Sequence, residues 1–338
     1  MITAPYKLSL LDKSPVQDGA DAHAALETSL AYAQKAEDAG YHRIWFAEHH
    51  GAPTLASTAP EVLAAFVLAR TNRIRVGTGG VLLQHYSPFK VAEAFRLLSA
   101  LAPGRVDLGI GKAPGGMPFG TRALQSELRG AKPREFEQKL VELDAFMKDG
   151  VPEEHPLHGA RAFPDARIGP DRFLLGASPD SATLAARLGW GFCFAGHHNG
   201  DPEALRAAIA AYSRTTGRKP SLAVNAHVGS SEAAAEALVS RLSVFKVHFA
   251  DGHAVNLPNE DAAREYARQY GLDDYRLEEK QPRVLAGTAG TVRAELDRLH
   301  RLFGITEFII DSPVASADAR LSSIELLSES YRSLAAAE

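Results

Sequence analysis

An α/β fold, a (β/α)8 TIM barrel with an insertion near residues 250–282, is what this 338-residue chain predicts. Eight short apolar runs alternate with stretches of helical periodicity along the whole length. The runs are continuously apolar rather than alternating, as parallel strands covered on both faces are. Three helical stretches end on Gly40, Gly189 and Gly304 and pass at once into an apolar run, and a left-handed glycine is a common stop at a helix C-terminus. Eight strand–helix units favour a closed barrel over an open doubly wound sheet. The first run lacks a following G-x-G-x-x-G, which weakens a dinucleotide-binding fold. No linker-like change in composition divides the chain, so a single domain over residues 1–338 is expected.

The elements follow in order. Lys7–Leu11 is the first strand, broken by Asp12-Lys13-Ser14-Pro15. Leu26, Leu30, Ala33 and Ala36 recur at helical spacing over Asp21–Ala39. Arg43–Ala47 is the second strand, and Val62, Leu63, Phe66 and Val67 mark the next helix. Ile74–Leu83 reads as one strand containing Gly77, Gly79 and Gly80. Ser87-Pro88 has the form of an N-cap followed by proline at the first helical position. Val106–Ile110 ends in the loop GKAPGGMPFG, and a helix through Phe136, Leu140, Leu143 and Met147 follows. Arg172–Leu175, Phe192–Ala195 and Leu222–Val228 are the fifth to seventh strands, with helices opening at Ser178-Pro179 and Asp201-Pro202. Glu232–Phe249 reads as a helix, and Asp251–Gln281 is polar with no clear period, a candidate lid or a disordered surface insertion. The eighth strand is Glu307–Asp311, between helices marked by Val292, Leu296, Leu299 and Phe303 and by Leu321, Ile324, Leu327, Tyr331 and Leu334.

Composition narrows the function. A net charge of −4 with both signs interspersed offers no basic stripe for nucleic acid. No apolar run approaches the ~20 residues that span a bilayer. The opening MITAPYKLSLLD lacks the flanks of a signal peptide, so a cytoplasmic location is expected. The one cysteine, Cys193, rules out an internal disulfide and lies in an apolar strand, where an inert buried thiol is expected.

Function in such a barrel sits at the carboxyl ends of the strands. Those ends carry Glu48, His49 and His50; Gly79, Gly80 and then His85; Lys112; Ser178; His197 and His198; Asn225 and His227. Ile44–His50, IWFAEHH, is an apolar strand with a polar tip. Neighbouring strand residues face opposite ways, so His49 and His50 must diverge. That geometry disfavours a shared metal, and no H-E-x-x-H occurs. Gly79-Gly80 suggests close approach of a flat group to the backbone, or equally a bulge. Ser178 caps a helix begun by Pro179; with Ser181 and Lys112 on the same rim, that terminus suits a phosphate monoester, and otherwise it is an ordinary cap. Phe192, Phe194, His197 and the insertion are expected to set the pocket's size.

These residues fall into a known pattern. The succession A-E-D-A-G-Y-H-R-I-W-F-A-E-H-H, R-I-R-V-G-T-G-G-V-L-L and G-R-V-D-L-G-I-G-K-A-P-G resembles the bacterial luciferase-like flavin-dependent monooxygenases, in particular their single-component, alkanal-monooxygenase-like branch. The likeness is specific from Lys7 to about residue 200 and continues through G-T-A-G-T-V-R-A-E-L. It implies a barrel that binds FMN, with His49 as the catalytic histidine and Gly79-Gly80 as a non-proline cis peptide under the flavin ring. It also implies that Ser178 and Ser181 contact the FMN phosphate, with Lys112 where luciferase has an arginine; a lysine serves there as a point charge. Ala177 stands where the family has a glutamate, which puts light emission in doubt but not flavin binding.

The implied reaction takes reduced FMN as co-substrate from a separate NAD(P)H:flavin reductase. Dioxygen then forms a flavin peroxide, which oxygenates a small organic substrate: an aldehyde, a ketone or a thioether. His49, with an ordinary pKa near working pH, would assist proton transfer or hydrogen-bond the peroxide. His50 is expected to be a structural partner, and Glu48 to act through its backbone or a supporting hydrogen bond. A homodimer built on the helices beside strands two and three is the family expectation. The rivals are a deazaflavin-dependent oxidoreductase, a metal-dependent barrel hydrolase using His49, His85, His197 and His227, and a flavin-binding protein without turnover.

Overall fold

A computed structural model describes residues 4–113, 115–126, 135–148, 150–198 and 200–335, with side chains as far as residue 331. Its elements are β1 (Lys7–Asp12), α1 (Ala22–Ala39), β2 (Arg43–Phe46), α2 (Pro60–Leu68), β3 (Arg75–Thr78), β4 (Val81–Leu82), α3 (Pro88–Leu101), β5 (Val106–Gly111), α4 (Pro118–Leu124), α5 (Phe136–Met147), β6 (Asp171–Gly176), α6 (Pro179–Leu188) and β7 (Gly191–Phe194). They continue with α7 (Pro202–Thr216), β8 (Ser221–Val228), α8 (Glu232–Val239), β9 (Val244–Phe249), β10 (Ala254–Leu257), α9 (Glu260–Tyr270), β11 (Tyr275–Lys280), β12 (Leu285–Gly287), α10 (Ala289–Phe303), β13 (Glu307–Asp311) and α11 (Ala317–Ala335).

Eight of the strands close a parallel barrel in the order β1-β2-β3-β5-β6-β7-β8-β13, with β13 returning to β1. They are the eight apolar runs of the sequence. Gly40, Gly189 and Gly304 all take left-handed φ angles, of 86°, 73° and 68°, and end α1, α6 and α10. The main apolar core lies between the barrel and its helices, from Leu8, Ile44, Val76 and Leu108 to Leu296 and Ile324. Inside the barrel, Leu11, Trp45, Ala47, Cys193, Ala223 and Ile309 pack with Phe173 and Leu175. Burial pushes the Cys193 thiol up to about 12, which keeps it protonated and inert.

The lower end of the barrel is plugged by charge. Asp107 Oδ2 accepts from Arg43 Nη1 at 2.7 Å and from Trp45 Nε1 at 3.0 Å, and Oδ1 accepts from Arg75 Nε at 2.9 Å. Glu307 Oε1 accepts from Arg43 Nε at 2.7 Å and from Ser9 Oγ at 2.6 Å. All of these groups but the half-buried Arg75 are buried, and each has the partners that burial of charge demands.

Three expectations are corrected. Ile74–Leu83 is not one strand: a cis peptide at Gly79-Gly80 separates β3 from β4. Glu232–Phe249 is not one helix: α8 ends at Val239, and β9, rich in β-branched and aromatic residues, begins at Val244. Asp251–Gln281 is not an unpatterned loop. It supplies β10, α9 and β11, and the three strands pair antiparallel in the order β10-β9-β11. Val247, Phe249, Leu257, Ala263, Tyr266 and Ala267 give this insertion its own small core. The glycine-rich loop after β5 contains α4, begun by Pro118, and α4 docks on the insertion where Gln269 Oε1 accepts from Phe119 N–H at 2.9 Å.

Candidate active site

A cavity of about 310 Å³ opens at the carboxyl ends of the barrel strands. Leu11 and Lys13 line it from β1, Ala47, Glu48 and His49 from β2, and Gly79 and Gly80 from the end of β3. Gly111, Lys112 and Ala113 follow from β5, Ala177 and Ser181 from β6 and α6, and Ala195, His197 and His198 from β7.

The tip of β2 is fixed residue by residue. The Ala47 N–H donates to Asp12 O at 2.9 Å, that of His49 to Ser57 O at 3.0 Å, and that of His50 to Gly115 O at 2.8 Å. The two histidines diverge as the strand alternation requires. His49 enters the cavity. The His50 ring turns away, with Nε2 2.7 Å from Glu48 Oε1. Glu48, buried at the strand end, also accepts from the Tyr86 hydroxyl at 2.7 Å and from Leu82 N–H at 3.0 Å. It therefore ties β2 to β4 through its side chain.

Gly79 and Gly80 leave no room for a side chain. A Cβ on Gly79 would stand 2.7 Å from Leu11 Cδ1, and one on Gly80 would stand 2.7 Å from Gly109 O. Their bare backbone instead lines the cavity, the close approach that a flat ligand needs.

On the neighbouring strands β5 and β6 lies the anion end. Ser178 Oγ accepts from Ser181 N–H at 3.2 Å and lies 3.1 Å from Ser181 Oγ. Ser178 thus caps α6, while Ser181, Ala177 and Lys112 line the cavity. Of the residues that the resemblance places around FMN, Gly79, Gly80, Lys112, Ala177 and Ser181 line this cavity and Ser178 does not, and Gly79-Gly80 has the cis peptide that the resemblance implies.

The histidines are held neutral. Burial, then the Lys13 charge and the neighbouring His198 and His50, push His49 down to about 3. Burial first, then His198, Lys13 and His49, puts His197 well below the ordinary value. Burial, then Lys13, moves His198 to about 4, although its ring is open at the rim, where water weakens that effect. This corrects the expectation of a His49 titrating near working pH: the ring is a neutral hydrogen-bonding group. His49 Nδ1 and His197 Nδ1 are buried without a protein partner.

A stability prediction follows. An imidazole whose folded pKa is depressed lets the unfolded chain take up its proton first. Stability is therefore full above about pH 6.5 and falls as the pH drops towards 4. His49 and His197 each contribute at most about 1.4 kcal/mol per pH unit, less where cavity water screens them. Urea denaturation midpoints at pH 7.5, 6 and 5 measure the fall, and replacing His197 by Phe should flatten it.

Other expected site residues lie elsewhere. His85 packs against His50 and Tyr86, and His227 is buried outside the cavity lining, so the four histidines of the hydrolase alternative do not meet. Asn225 Nδ2 donates to His197 O at 3.1 Å and Arg283 O at 3.2 Å, bracing the loop after β7. Phe192 and Phe194 face the helices, Phe192 near Tyr212, and Phe194 lines a separate cavity of about 180 Å³ beside α7 and α10. They do not shape the barrel mouth; Ala195 does. Lys13 lines the cavity although the sequence presented it only as part of a strand break. Its signal was there: like Lys112, it directly follows a barrel strand.

Comparison with known proteins agrees with this arrangement. Residues 7–306 match the family model for luciferase-like monooxygenases. The N-acetyl-S-alkylcysteine monooxygenase of Bacillus subtilis is 41% identical over 331 residues, covering 96% of this chain and 97% of that protein. The crystal structure of apo-MsnO8 superposes with a TM-score of 0.76 at 31% identity, over 97% of this chain and 98% of the other. The oxygenating constituent of 3,6-diketocamphane monooxygenase of Pseudomonas putida, in complex with FMN, has a TM-score of 0.69 at 18% identity, over 96% and 97% of the two chains, and shows the shared fold alone.

Proposed function

We propose, from the premise that this chain belongs to the luciferase-like monooxygenase family, that it uses reduced FMN and dioxygen to oxygenate a small thioether. The observation that carries the reading is the full-length likeness to an N-acetyl-S-alkylcysteine monooxygenase, combined with a cavity that has a bare glycine backbone and a cationic, hydroxyl-bearing end. When bound, reduced FMN supplies the two electrons that let one oxygen atom pass to the thioether sulfur and the other leave as water.

The chain's own residues supply the rest. Lys112, Ser181 and the N-terminus of α6 hold the phosphate, and Gly79-Gly80 underlies the ring. Ala177 leaves that end without a carboxylate to repel the phosphate. Leu11, Ala47, Leu82, Leu175 and Ala195 form an apolar wall that excludes water. His49, neutral and lining the cavity, offers a hydrogen bond to the oxygen that reacts. Retained at this position, it favours turnover over passive flavin binding.

The direct test supplies chemically reduced FMN, labelled dioxygen and N-acetyl-S-methylcysteine, and looks for the singly labelled sulfoxide by mass spectrometry. No labelled product from this thioether, or from an aldehyde and a ketone tested beside it, would overturn the reading. Tighter binding of a deazaflavin than of FMN would instead move the chain to the deazaflavin oxidoreductases. Ser181→Ala should weaken FMN by about tenfold, the loss of one hydrogen bond to a charged group, and leave riboflavin affinity unchanged. Equal losses for both flavins would remove Ser181 from the phosphate site.

The reduced cofactor is proposed to come from a separate NAD(P)H:flavin reductase in the cytoplasm; among the described residues no helix is long and apolar enough to cross a membrane. A homodimer is proposed through α2 and α3, supported by the exposed Val62, Phe66, Leu97 and Leu101 at i, i+4 spacing on those helices. Leu101→Glu should then shift the light-scattering mass towards a monomer, and a wild-type mass of one chain at micromolar concentration would remove the dimer.

A further inference from the structure

The cavity has a second charged end. Across the mouth from Lys112 and Ser181 stands Lys13, on the β13–β1 side of the barrel. Its Nζ donates to Asp311 Oδ2 at 2.5 Å. Asp311 is buried, whereas the lysine side chain keeps 26% of its surface exposed. An ammonium carries three N–H donors, and this contact uses one.

The backbone around Lys13 is unusually determined. Ser14, the next residue, sits at φ 50°, in the left-handed region that residues other than glycine enter at a cost. Its N–H donates to Asp12 Oδ1 at 2.8 Å, and its hydroxyl accepts from Ser29 Oγ at 2.8 Å. Asp12 is in turn paired with Arg320 Nη2 at 2.6 Å, and both are buried. A salt-bridged turn therefore fixes the direction in which Lys13 leaves β1.

His49 and His197 line the cavity with Lys13, and no carboxylate other than Asp311 pairs with the lysine among the described residues. A cation with spare donors beside imidazole rings at the cavity wall suits an anionic oxygen pair. The phosphate is assigned to the opposite end, where Lys112 and Ser181 stand.

We propose that Lys13, aimed by Asp311 and by the Asp12–Ser14 turn, anchors a carboxylate on the substrate, so that the thioethers this chain accepts are carboxylic acids. The proposal rests on the thioether reading above. Seated on Lys13, the acid places the rest of the molecule beside His49. Lys13 is then a specificity-determining residue: it reads the acid group and takes no part in moving oxygen.

The test pairs N-acetyl-S-methylcysteine with its methyl ester, in wild type and in Lys13→Met and Lys13→Arg proteins. In wild type the acid should exceed the ester in kcat/KM by about ten- to a hundredfold, the range for a hydrogen-bonded charge pair, with the difference lying in KM. Lys13→Met should bring the acid-to-ester ratio to about one, and Lys13→Arg should recover part of it. An unchanged ratio in Lys13→Met, or equal losses on acid and ester, would overturn the anchor. Calorimetric binding of the acid and of its ester to cofactor-free protein separates this proposal from the oxygenase reading. Lys13-dependent preference for the acid without any sulfoxide product would keep the anchor and remove the oxygenase. Sulfoxide from acid and ester alike would do the reverse.

Discussion

His49→Ala is expected to lower coupled product formation by about 10²- to 10³-fold, the range associated with removing one preorganised hydrogen bond to a reacting oxygen. FMN affinity should change little, because the phosphate end at Lys112 and Ser181 and the glycine backbone lie on other strands. Oxygen consumption should persist while product falls, so hydrogen peroxide should rise in proportion. The geometry gives the reason. The His49 N–H donates to the Ser57 carbonyl, which fixes the backbone, and its ring reaches the cavity. A ring held neutral, at about 3, acts by donating or accepting one hydrogen bond rather than by changing charge. His49→Gln should therefore retain more activity than His49→Ala. Unchanged product per dioxygen consumed in the alanine variant would remove His49 from the chemistry.

Asp107→Ala is expected to destabilise the fold by about 3–5 kcal/mol, the cost of stranding a buried charge after removal of its partner. Asp107 is fully buried, and its carboxylate serves Arg43, Arg75 and Trp45 together. Removal leaves Arg43 with Glu307 as its one carboxylate partner among the described residues and opens the lower end of the barrel. Urea denaturation followed by tryptophan fluorescence suits the measurement, since Trp45 reports from beside the lesion. A midpoint within error of wild type would show that the plug contributes little. Arg43→Met in the Asp107→Ala background should recover part of the loss, because the double variant leaves no buried cation behind.

The barrel was legible because parallel strands buried on both faces announce themselves as unbroken apolar runs: Ile44–Phe46, Leu222–Val224 and Phe308–Ile310. The helix stops were legible because Gly40, Gly189 and Gly304 each occupy a left-handed angle. Insertion strands β9 and β11 were not, because they cover one small core and expose the other face. In β9 the alternation of Phe245, Val247 and Phe249 with Lys246 and His248 is short and runs on directly from the helical pattern of α8, whereas β11 lies inside a charged stretch. The barrel plug was hidden for a related reason. Arg43, Asp107 and Glu307 are far apart in sequence and read as strand-edge charges until closure brings them together. At the site, the divergence of His49 and His50 followed from strand alternation alone. The turn that aims Lys13 depends on Asp12, Arg320 and Asp311, and proximity of those groups is a property of the closed ring.

The path from the insertion to His49 is short and made of stiff contacts. α9 holds α4 through Gln269, whose Oε1 accepts from Phe119 N–H and whose carbonyl accepts from Arg122 Nη2 at 2.8 Å. The chain entering α4 is laced to His50: Met117 N–H donates to His50 O at 3.2 Å, and Gly116 lies so close that a Cβ there would stand 2.3 Å from that oxygen. His50 is the residue after His49. The insertion and the tip of β2 are thus geared together, with α4 as the connecting rod. Displacement of the insertion cannot stay local to the rim; it pulls on the backbone that aims the imidazole. Loosening Gln269 should therefore register in the setting of His49, a residue with which the insertion itself shares no hydrogen bond among the described residues.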